Sequence, residues 1–350
     1  MTTQAPAVSG TMRAAVIRQH GASDTLRIEH VATPQPAADE LLIRVGAVGL
    51  NHLDVFARQG LTGPGVHPIQ LPHVSGVDVA GTIASGPRAG ERVLVNPAIG
   101  CGTCAQCRRG ELSMCPKYTI LGEHRWGGLA DYVAVPTASV IPLPEDIPFE
   151  LAAAVPAAYT TAWRGVVTVG HVQPGERLLV VGASGGVGCA ALQIGVLAGA
   201  EVLAVAGSDS KRQRARELGA VATFDSHTDW LAALLEWTDG AGVDLVHDAV
   251  GAPTWPSSIR ALGMGGRLVI CGATGGDRPD FSIREVYQYH RQILGAPMGN
   301  WQDFLQVTRA VCNGQLRPEV HAIYPLERVG EAQDALEGRQ HFGKIVISLA

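Results

Sequence analysis

The chain lacks the features that mark a membrane-spanning or a nucleic-acid-binding protein. No apolar run approaches the roughly 18–20 residues that cross a bilayer, and no dense tract of lysine or arginine appears among the 350 residues. The 27 basic and 32 acidic residues leave a formal net charge of −5. We therefore expect no membrane span and no binding to nucleic acid or to an anionic membrane surface.

The N-terminus lacks the parts of a secretory signal peptide. Its first eleven residues contain neither a basic region nor an apolar core. We expect them to form a loose leader before the first strand, and we expect the protein in the reducing cytoplasm. In that compartment a crowded group of cysteines is more typical of a metal site than of disulfides.

Length and glycine content favour a two-domain α/β protein. The 350 residues suit about two domains of roughly 100–200 residues each, and the chain is 46% hydrophobic with 43 glycines. The first 150 residues read as short strands and turns, which predicts an all-β core of the barrel or sandwich type. The strands predicted there cover residues 12–17, 26–29, 40–48, 77–83 and 92–96, and residues 60–76 are expected to form a loop.

From Arg177 onward, strands alternate with helices. This alternation predicts a parallel, doubly wound sheet. The strands predicted for it cover residues 178–182, 202–206, 220–224, 243–247 and 267–272, with 293–296 as an additional last strand. Beyond them we expect an amphipathic helix over residues 302–312 and a closing strand over residues 343–349.

A glycine-rich turn opens this second half. An apolar run at 178–181 precedes it, and an apolar segment that ends at Gly199 follows it. A strand, a glycine turn and a helix in this order are typical of a dinucleotide-binding unit, because glycines let the backbone approach a pyrophosphate at the helix N-terminus. The residues expected to hold the cofactor there are Gly182, Ser184, Gly185, Gly186, Val187 and Gly188. The alternative is a tight turn that needs glycine for its backbone geometry alone.

Four of the seven cysteines form a compact motif, here called the cysteine quartet. Its members are Cys101, Cys104, Cys107 and Cys115. Their spacing lets one lobe surround a tetrahedral ion with four thiolates. Because four cysteine ligands leave no open position, the motif predicts a closed, structural Zn²⁺ site. The alternative is a set of free thiols or a disulfide pair.

These motifs together resemble the zinc-containing medium-chain dehydrogenase/reductase superfamily. The stretches that carry the resemblance are AVGLNHLD (47–54), LPHVSGVDVAG (71–81), the cysteine quartet, GASGGVG (182–188) and FGKIV (342–346). The resemblance implies a GroES-like β-rich catalytic domain over residues 1–156 and 299–350, with a zinc lobe at about 97–120, and a Rossmann domain over residues 157–298. It also implies a homodimer that pairs through the strand near residues 293–296.

The ligands of the family's second, catalytic zinc are missing. Alcohol dehydrogenases of the family use a Cys, a His in a Gly-His-Glu motif and a further Cys, and the corresponding positions here are Asn51, Val77 and Ala157. Asp78 replaces the usual Glu. Because valine has no donor atom, the chain is more similar to the quinone oxidoreductase and enoyl reductase branch, which works without catalytic zinc. It departs from that branch by keeping the structural lobe.

Polar residues of the first two motifs are the candidates for catalysis. They are Asn51, His52, Asp54 and His73. Hydride addition to an enone or a quinone needs a hydrogen-bond donor at the carbonyl oxygen and a proton source. We expect Asn51 to orient the carbonyl, and His52 or His73 to supply or relay the proton. Alternatively, either histidine is a structural hydrogen-bonding residue, or His52, His73 and Asp78 form an unusual zinc site.

The end of the second Rossmann strand favours NADPH over NADH. Units that prefer NAD carry Asp or Glu there, about 20 residues past the glycines, whereas this chain has Ala206. Ser208, Lys211 and Arg212 follow and suit a 2′-phosphate. Alternatively, Asp209 holds the ribose, or the two cations lie on a solvated helix face.

Two further cofactor contacts are expected. Gly272 ends a predicted strand at the carboxyl edge of the sheet, where a dinucleotide lies. Lys344 corresponds to a basic residue that contacts the pyrophosphate in the family. The main hypothesis is an NADPH-dependent reductase of small quinones or α,β-unsaturated carbonyls. The alternatives are an alcohol dehydrogenase with a non-standard metal site and a non-enzymatic nucleotide-binding protein of the same fold.

Overall fold

The computed structural model of the protein describes residues 10–60 and 68–349. Most of the predicted leader (1–11) and part of the predicted loop (60–76) lie outside the described residues. The strands, numbered in chain order, are β1 (Thr11–Ile17), β2 (Leu26–Ala32), β3 (Glu40–Gly49), β4 (His73–Val74), β5 (Asp78–Ile83), β6 (Arg92–Val95), β7 (Ala98–Ile99), β8 (Thr119–Ile120), β9 (Tyr132–Pro136), β10 (Val140–Pro142), β11 (Arg177–Val181), β12 (Glu201–Ala206), β13 (Ala222–Asp225), β14 (Val243–Asp248), β15 (Leu262–Ile270), β16 (Gln292–Gly295), β17 (Val320–Pro325) and β18 (Lys344–Ser348).

The α-helices are short. They are α1 (His52–Gln59), α2 (Ala105–Arg108), α3 (Phe149–Ala152), α4 (Pro156–Trp163), α5 (Gly186–Leu197), α6 (Asp209–Glu217), α7 (Trp230–Trp237), α8 (Trp255–Ala261), α9 (Ile283–Tyr287), α10 (Trp301–Cys312) and α11 (Val329–Glu337). In the part of the chain that the structure describes, no helix has the length and apolar character needed to cross a membrane.

The structure divides into two compact units, and their second boundary differs from the predicted one. One unit contains Met1–Ala157 with Pro318–Ala350, and the other contains Ala158–Arg317. The structure therefore places residues 299–317 in the second unit, whereas the Rossmann domain was predicted to end at residue 298. α10 belongs there because its Asp303 accepts hydrogen bonds from Arg164 and Thr168.

The first unit is rich in β-strands, as predicted. Its main sheet has the order β10-β6-β5-β3-β18-β17, and β9 also pairs with β3. β1 pairs with β2 as an antiparallel hairpin and with β4 on its other side. The inward-facing side chains form one apolar core, which includes Val45, Val79 and Ile347. β18 lies between β3 and β17, so the end of the chain completes this sheet.

Several elements of the first unit were not predicted, among them β9, β17, α1 and α11, and β4 lies within the predicted loop over residues 60–76. α11 places Val329, Ala332 and Leu336 in the core. Their spacing of three and four residues is that of one helix face, so the signal was present in the sequence.

The second unit contains the predicted parallel sheet. Its six strands have the order β13-β12-β11-β14-β15-β16, and every pairing between them is parallel. From β11 the chain adds strands first on one side, to β13, and then on the other side, from β14 to β16, so the strand order reverses between β11 and β14. In such sheets ligands bind outside the carboxyl ends of the strands at the reversal point, so the glycine turn after β11 lies where a dinucleotide is expected.

Candidate active site

The sulfur atoms of the cysteine quartet converge on one point. All four lie within 4.8 Å of one another, and a tetrahedral zinc with Zn–S bonds of about 2.3 Å separates its sulfurs by about 3.8 Å. Backbone N–H groups also point at them. Cys104 N lies 3.4 Å from Cys101 Sγ, and Lys117 N lies 3.3 Å from Cys115 Sγ. The hydrogen bond to Cys101 Sγ favours the thiolate form that binds metal.

The lobe around the quartet fits a metal rather than disulfides. None of the seven cysteines, all of which are among the described residues, forms a disulfide. A side chain on Gly100 would place its Cβ 2.8 Å from Cys107 Sγ, so the backbone passes close to the sulfur cluster. Four sulfur donors that fill every position are the ligand set of a structural Zn²⁺ site.

Asn51, at the position of the first missing catalytic ligand, is fully engaged as a donor. Its Nδ2 donates to Gly49 O at 3.2 Å and to Asp78 Oδ2 at 3.0 Å. Its Oδ1 accepts from Lys344 Nζ at 2.7 Å. A carboxamide nitrogen carries two hydrogens, and both are used inside the protein. The expectation that Asn51 donates to a substrate carbonyl stays a prediction, and it requires one of these two bonds to be exchanged for the substrate.

Lys344 is the cation of the same cluster. Its side chain is 3% exposed, and its Nζ lies 3.0 Å from Asp78 Oδ2, whose side chain is 0% exposed. Nζ also donates to Leu50 O and to Asn51 Oδ1, each at 2.7 Å. An ammonium carries three hydrogens, and all three have partners within the protein. The expected contact of Lys344 with the cofactor stays a prediction.

Asp54 caps a helix. It is completely buried, its Oδ2 accepts from Asn51 N at 2.8 Å, and its Oδ1 accepts from Gly76 N at 2.7 Å. The first bond is half of a capping box at the start of α1. Burial raises the pKa of Asp54 to about 6, although the two backbone hydrogen bonds oppose this shift. Both oxygens thus have structural partners, and the catalytic role of Asp54 stays a prediction.

The two candidate histidines differ in their surroundings. His73 is 3% exposed, and its Nε2 donates to Gly122 O at 2.9 Å, so the structure supports the structural alternative for this residue. His52 is the first residue of α1 and is partly exposed. Burial, with smaller effects of Arg339 and Lys344, lowers the pKa of His52 to about 4. Its imidazole is therefore neutral at neutral pH.

The unusual zinc site is not assembled. Within residues 10–60 and 68–349, the cysteine quartet is the one group of three or more Cys, His, Asp or Glu side chains close enough to share a metal ion. His52, His73 and Asp78 do not form such a group. Val77, at the second ligand position, is buried and offers no donor atom.

The glycine turn between β11 and α5 has the backbone of an anion-binding site. Gly182 has a φ of +75°, and a Cβ on Gly188 would lie 2.2 Å from Gly182 O, so both positions require glycine. α5 begins at Gly186, and Gly185 caps it without a side-chain hydrogen bond. The first N–H groups of an α-helix have no partner within the helix, so those of Gly186 and Val187 suit phosphate oxygens.

The turns after β14 and β15 border the same edge of the sheet. Asp248, at the end of β14, shapes the first turn by accepting from Val250 N, Gly251 N, Thr254 Oγ1 and Ser258 Oγ at 2.7–3.1 Å. Gly272 follows β15, and a Cβ on it would lie 3.1 Å from Ala249 O. Ser184 lies in the glycine turn. The cofactor contacts of Gly272 and Ser184 stay predictions.

The end of β12 carries the residues predicted for a 2′-phosphate, but one of them is already paired. Ser208 caps α6 by accepting from Lys211 N at 3.3 Å. One guanidinium nitrogen of Arg212 lies 2.9 Å from Asp225 Oδ2, and another contacts Asp209. Arg212 is thus paired with two carboxylates, and its contact with a 2′-phosphate stays a prediction. Burial lowers the pKa of Lys211, so its ammonium is partly desolvated.

Sequence reasoning missed His227, which lies next to this end of β12. A Cβ on Gly207 would lie 3.0 Å from His227 Nε2. His227 follows β13, which pairs with β12 so that Ala206 is opposite Asp225. The signal that identifies it is a polar residue just after a predicted strand, at the carboxyl edge where ligands bind.

Each of the two structural units contains a segment that matches a known protein family. Residues 37–145 match a family model described as the alcohol dehydrogenase GroES-like domain, and residues 186–312 match one described as zinc-binding dehydrogenase. The crystal structure of an NAD-dependent alcohol dehydrogenase matches with a TM-score of 0.92 and 39% identity, and the match covers 97% of this chain and 100% of the other.

Relatives of several activities match along nearly their whole length. The NAD-dependent alcohol dehydrogenase of Saccharolobus solfataricus is 32% identical over 92% of this chain and 96% of its own. The quinone oxidoreductase of Homo sapiens is 28% identical over 97% and 98%. The acryloyl-coenzyme A reductase of Sulfurisphaera tokodaii is 27% identical over 93% and 97%.

Fold, sites and relatives define an NAD(P)-dependent oxidoreductase built from a GroES-like domain and a Rossmann domain. The chain belongs to the zinc-type medium-chain dehydrogenase/reductase superfamily. The predicted family and fold are thereby confirmed, and the non-enzymatic alternative finds no support among the relatives, which are oxidoreductases.

Proposed function

We propose that the protein reduces quinones or α,β-unsaturated carbonyls with NADPH and without a catalytic zinc. The observation that carries the proposal is the replacement of the catalytic ligands by Asn51, Val77 and Ala157, with the Asp78–Lys344 ion pair bonded to Asn51. Alcohol oxidation by this family relies on a Lewis acid that stabilises the alkoxide. Hydride addition to a conjugated carbonyl instead places negative charge on the carbonyl oxygen, which a hydrogen-bond donor or water can stabilise.

Two of the relatives support this class of acceptor. Quinone oxidoreductase and acryloyl-coenzyme A reductase are named for acceptors in which a carbonyl is conjugated with a carbon–carbon double bond. Other relatives are alcohol dehydrogenases, so similarity alone does not choose between the activities. The choice rests on the missing ligands.

The second unit supplies the proposed cofactor site. The Gly182–Gly188 turn and the N-terminus of α5 would hold the pyrophosphate, because both present backbone N–H groups without side chains in the way. The lack of a carboxylate at Ala206 favours NADPH. When bound, the reduced nicotinamide supplies the hydride.

His52 is the proposed proton relay. The acceptor oxygen gains negative charge as the hydride adds to carbon, and it then takes up a proton that comes from water. Because the pKa of His52 is about 4, its imidazole is neutral and has one N–H donor and one acceptor nitrogen. It can therefore accept a proton from water at one nitrogen while it releases one from the other.

Zinc content tests the proposed metal stoichiometry. We expect one zinc per chain by elemental mass spectrometry of protein purified without added metal. Cys107→Ser should bring this value to zero, because it removes one of four structural ligands. Cys312→Ser is the matched control and should retain the zinc, since Cys312 lies on α10 outside the quartet. Two zinc ions per chain would instead support the alcohol dehydrogenase alternative.

Turnover tests the reaction. We expect the protein to oxidise NADPH with 1,4-naphthoquinone and with but-3-en-2-one, and to show no oxidation of ethanol with NADP⁺. His52→Gln should lower kcat by about tenfold or more with little change in KM, because it removes the relay. His30→Gln, an exposed histidine on β2, is the control. Ethanol oxidation without reduction of either acceptor would overturn the proposed function.

A further inference from the structure

Asn51 connects a buried charge pair to the accessible part of the candidate site. Lys344 and Asp78 are 3% and 0% exposed, so a substrate outside the core contacts neither side chain. Asn51 is partly exposed and is hydrogen-bonded to both of them. Of these three side chains, Asn51 is therefore the one through which the buried ammonium can influence a bound molecule.

The ammonium of Lys344 fixes the orientation of the Asn51 carboxamide. A lysine Nζ has hydrogens but no acceptor, so Asn51 Oδ1 must face it, and their distance of 2.7 Å is that of a charge-assisted hydrogen bond. Nδ2 then donates to Asp78 Oδ2 at 3.0 Å and to Gly49 O at 3.2 Å. Asp54 holds the backbone of the same residue by accepting from Asn51 N at 2.8 Å. The two hydrogens on Nδ2 are thus held in fixed directions.

The same bond to Lys344 polarises the carboxamide. A positive charge beside Oδ1 withdraws electron density from the amide, which makes the hydrogens on Nδ2 stronger donors. Because the ammonium is buried, water screens this effect little. The bond from Nδ2 to Gly49 O is the longer of the two and has a neutral acceptor, whereas Asp78 is a charged acceptor. The hydrogen that faces Gly49 O is therefore the one that a developing negative charge can take over.

We propose that Lys344 is a positioning residue that strengthens Asn51 as the donor to the carbonyl oxygen of the acceptor. Hydride addition to the acceptor moves an electron pair onto this oxygen, and the proton that completes the reaction comes from water. An interaction that grows with this charge lowers the barrier more than it strengthens substrate binding. This inference rests on the proposed function, because it assumes a carbonyl acceptor that is reduced by hydride.

A kinetic double-mutant cycle tests whether Lys344 acts through Asn51. Lys344→Met combined with Asp78→Asn, here called the pair-neutral variant, leaves no uncompensated ion in the core. We expect it to lower kcat for but-3-en-2-one about tenfold and to change KM less than twofold. Asn51→Ala should lower kcat about a hundredfold, as removal of an oxyanion donor does. Adding the pair-neutral substitutions to Asn51→Ala should then lower kcat less than a further twofold.

The choice of acceptor separates positioning from a structural role. The charge that forms on but-3-en-2-one is localised on one enolate, whereas the charge on 1,4-naphthoquinone spreads over an aromatic hydroquinone anion. A loss of polarisation should therefore lower kcat more for but-3-en-2-one, whereas a general loss of structure lowers both rates by the same factor.

Two further variants complete the test. Arg58→Met is the matched control, because Arg58 is a 1% exposed cation of the same unit that pairs with Glu337, and it should leave kcat for both acceptors within twofold. Lys344→Gln with Asp78→Asn replaces both ions by amides that still form hydrogen bonds, and it should give the same losses as the pair-neutral variant. Thermal unfolding confirms that each variant is folded at the assay temperature.

A tenfold loss that persists when the pair-neutral substitutions are added to Asn51→Ala would overturn the inference, because Lys344 would then not act through Asn51. Equal losses for the two acceptors, or no loss in the pair-neutral variant, would also contradict it. A wild type that reduces neither acceptor would instead overturn the proposed function. The two failures are therefore distinguishable.

Discussion

At the scale of single residues, a buried charge pair defines the candidate site. Lys344 and Asp78 are 3% and 0% exposed and lie 3.0 Å apart. Each ion costs several kcal/mol to remove from water, and such a pair is tolerated only when its remaining polar atoms are hydrogen-bonded. Asn51 Oδ1 accepts a hydrogen bond from Lys344 Nζ, and Ala157 N donates one to Asp78 Oδ1. The pair therefore ties β18 to β5 and to the start of α1.

Lys344→Met tests the pair. We expect it to lower the free energy of unfolding by about 3–5 kcal/mol, because it leaves the Asp78 carboxylate as an uncompensated buried charge. Adding Asp78→Asn should recover part of this loss, since the double variant buries no charge. Urea denaturation of both single variants and the double variant gives the coupling energy. A double variant whose loss is the sum of the two single losses would contradict the pairing.

His52 predicts a pH dependence of stability. Its pKa falls from the ordinary 6.5 to about 4 in the folded protein, mainly because of burial. Between these pH values the unfolded chain binds a proton that the folded chain does not. The stabilisation is therefore complete above pH 6.5 and is lost as the pH falls toward 4. Between pH 7 and pH 4, we expect wild type to lose up to about 3 kcal/mol more than His52→Gln.

Urea denaturation of wild type and His52→Gln at both pH values measures this difference. His30→Gln should follow wild type, since His30 is exposed. Parallel losses in wild type and His52→Gln would mean that the imidazole is not desolvated in the folded protein.

At the scale of elements, the glycine turn before α5 combines a folding role with a binding role. A Cβ on Gly188 would lie 2.2 Å from Gly182 O, whereas a Cβ on Gly185 would lie 3.6 Å from the same atom, in ordinary contact. Gly188 is thus required by the packing of the turn itself. Gly185 has room for a Cβ within the protein and is the N-cap residue of α5.

These two glycines predict different effects of alanine. Gly188→Ala should lower the free energy of unfolding by about 1–3 kcal/mol, because its Cβ overlaps backbone. Gly185→Ala should leave the melting temperature nearly unchanged and weaken NADPH binding, because its Cβ narrows the approach to the helix N-terminus. Thermal unfolding and titration of nicotinamide fluorescence separate the two effects. If Gly185→Ala binds NADPH like wild type, the pyrophosphate does not lie at this turn.

Elements whose signals are local could be predicted from the sequence. The turn at Gly182–Gly188 has glycines, a preceding apolar run and a following apolar helix within one short stretch. The cysteine quartet is similarly compact. β17 was missed because its six residues alternate between partly buried and exposed side chains, and none of them is fully buried. Its place in the sheet is set by pairing with β18, which is distant in the sequence pattern and not signalled locally.

The contacts of the candidate site could not be predicted, because they join distant parts of the chain. Asn51 and Lys344 were both identified as important positions, yet they are 293 residues apart and bind each other. Motif alignment shows which residue stands at a position but not which hydrogen bonds it makes. The sequence analysis therefore expected the hydrogen-bond donors of Asn51 and Lys344 to contact ligands, whereas in the structure these donors bind groups of the protein.

At the scale of the whole molecule, no further strand of the described residues pairs with one edge of the parallel sheet. β16 is the last strand of the order β13-β12-β11-β14-β15-β16, and most of its residues are exposed. An edge strand presents unpaired N–H and C=O groups. Ile293 on this strand is 38% exposed, and Met264 on the neighbouring strand β15 is 70% exposed. Apolar side chains beside an open edge favour pairing with a second copy.

We therefore expect a homodimer that forms through β16. Light scattering should give twice the chain mass of 36.6 kDa, and Ile293→Lys should give the single-chain mass, because a charge at a buried apolar contact is not compensated. Ile323→Lys is the control, since Ile323 is 53% exposed on β17, at an edge of the other sheet. A monomeric wild type would refute the dimer. A dimer that survives Ile293→Lys but is split by Ile323→Lys would place the contact on the GroES-like unit instead.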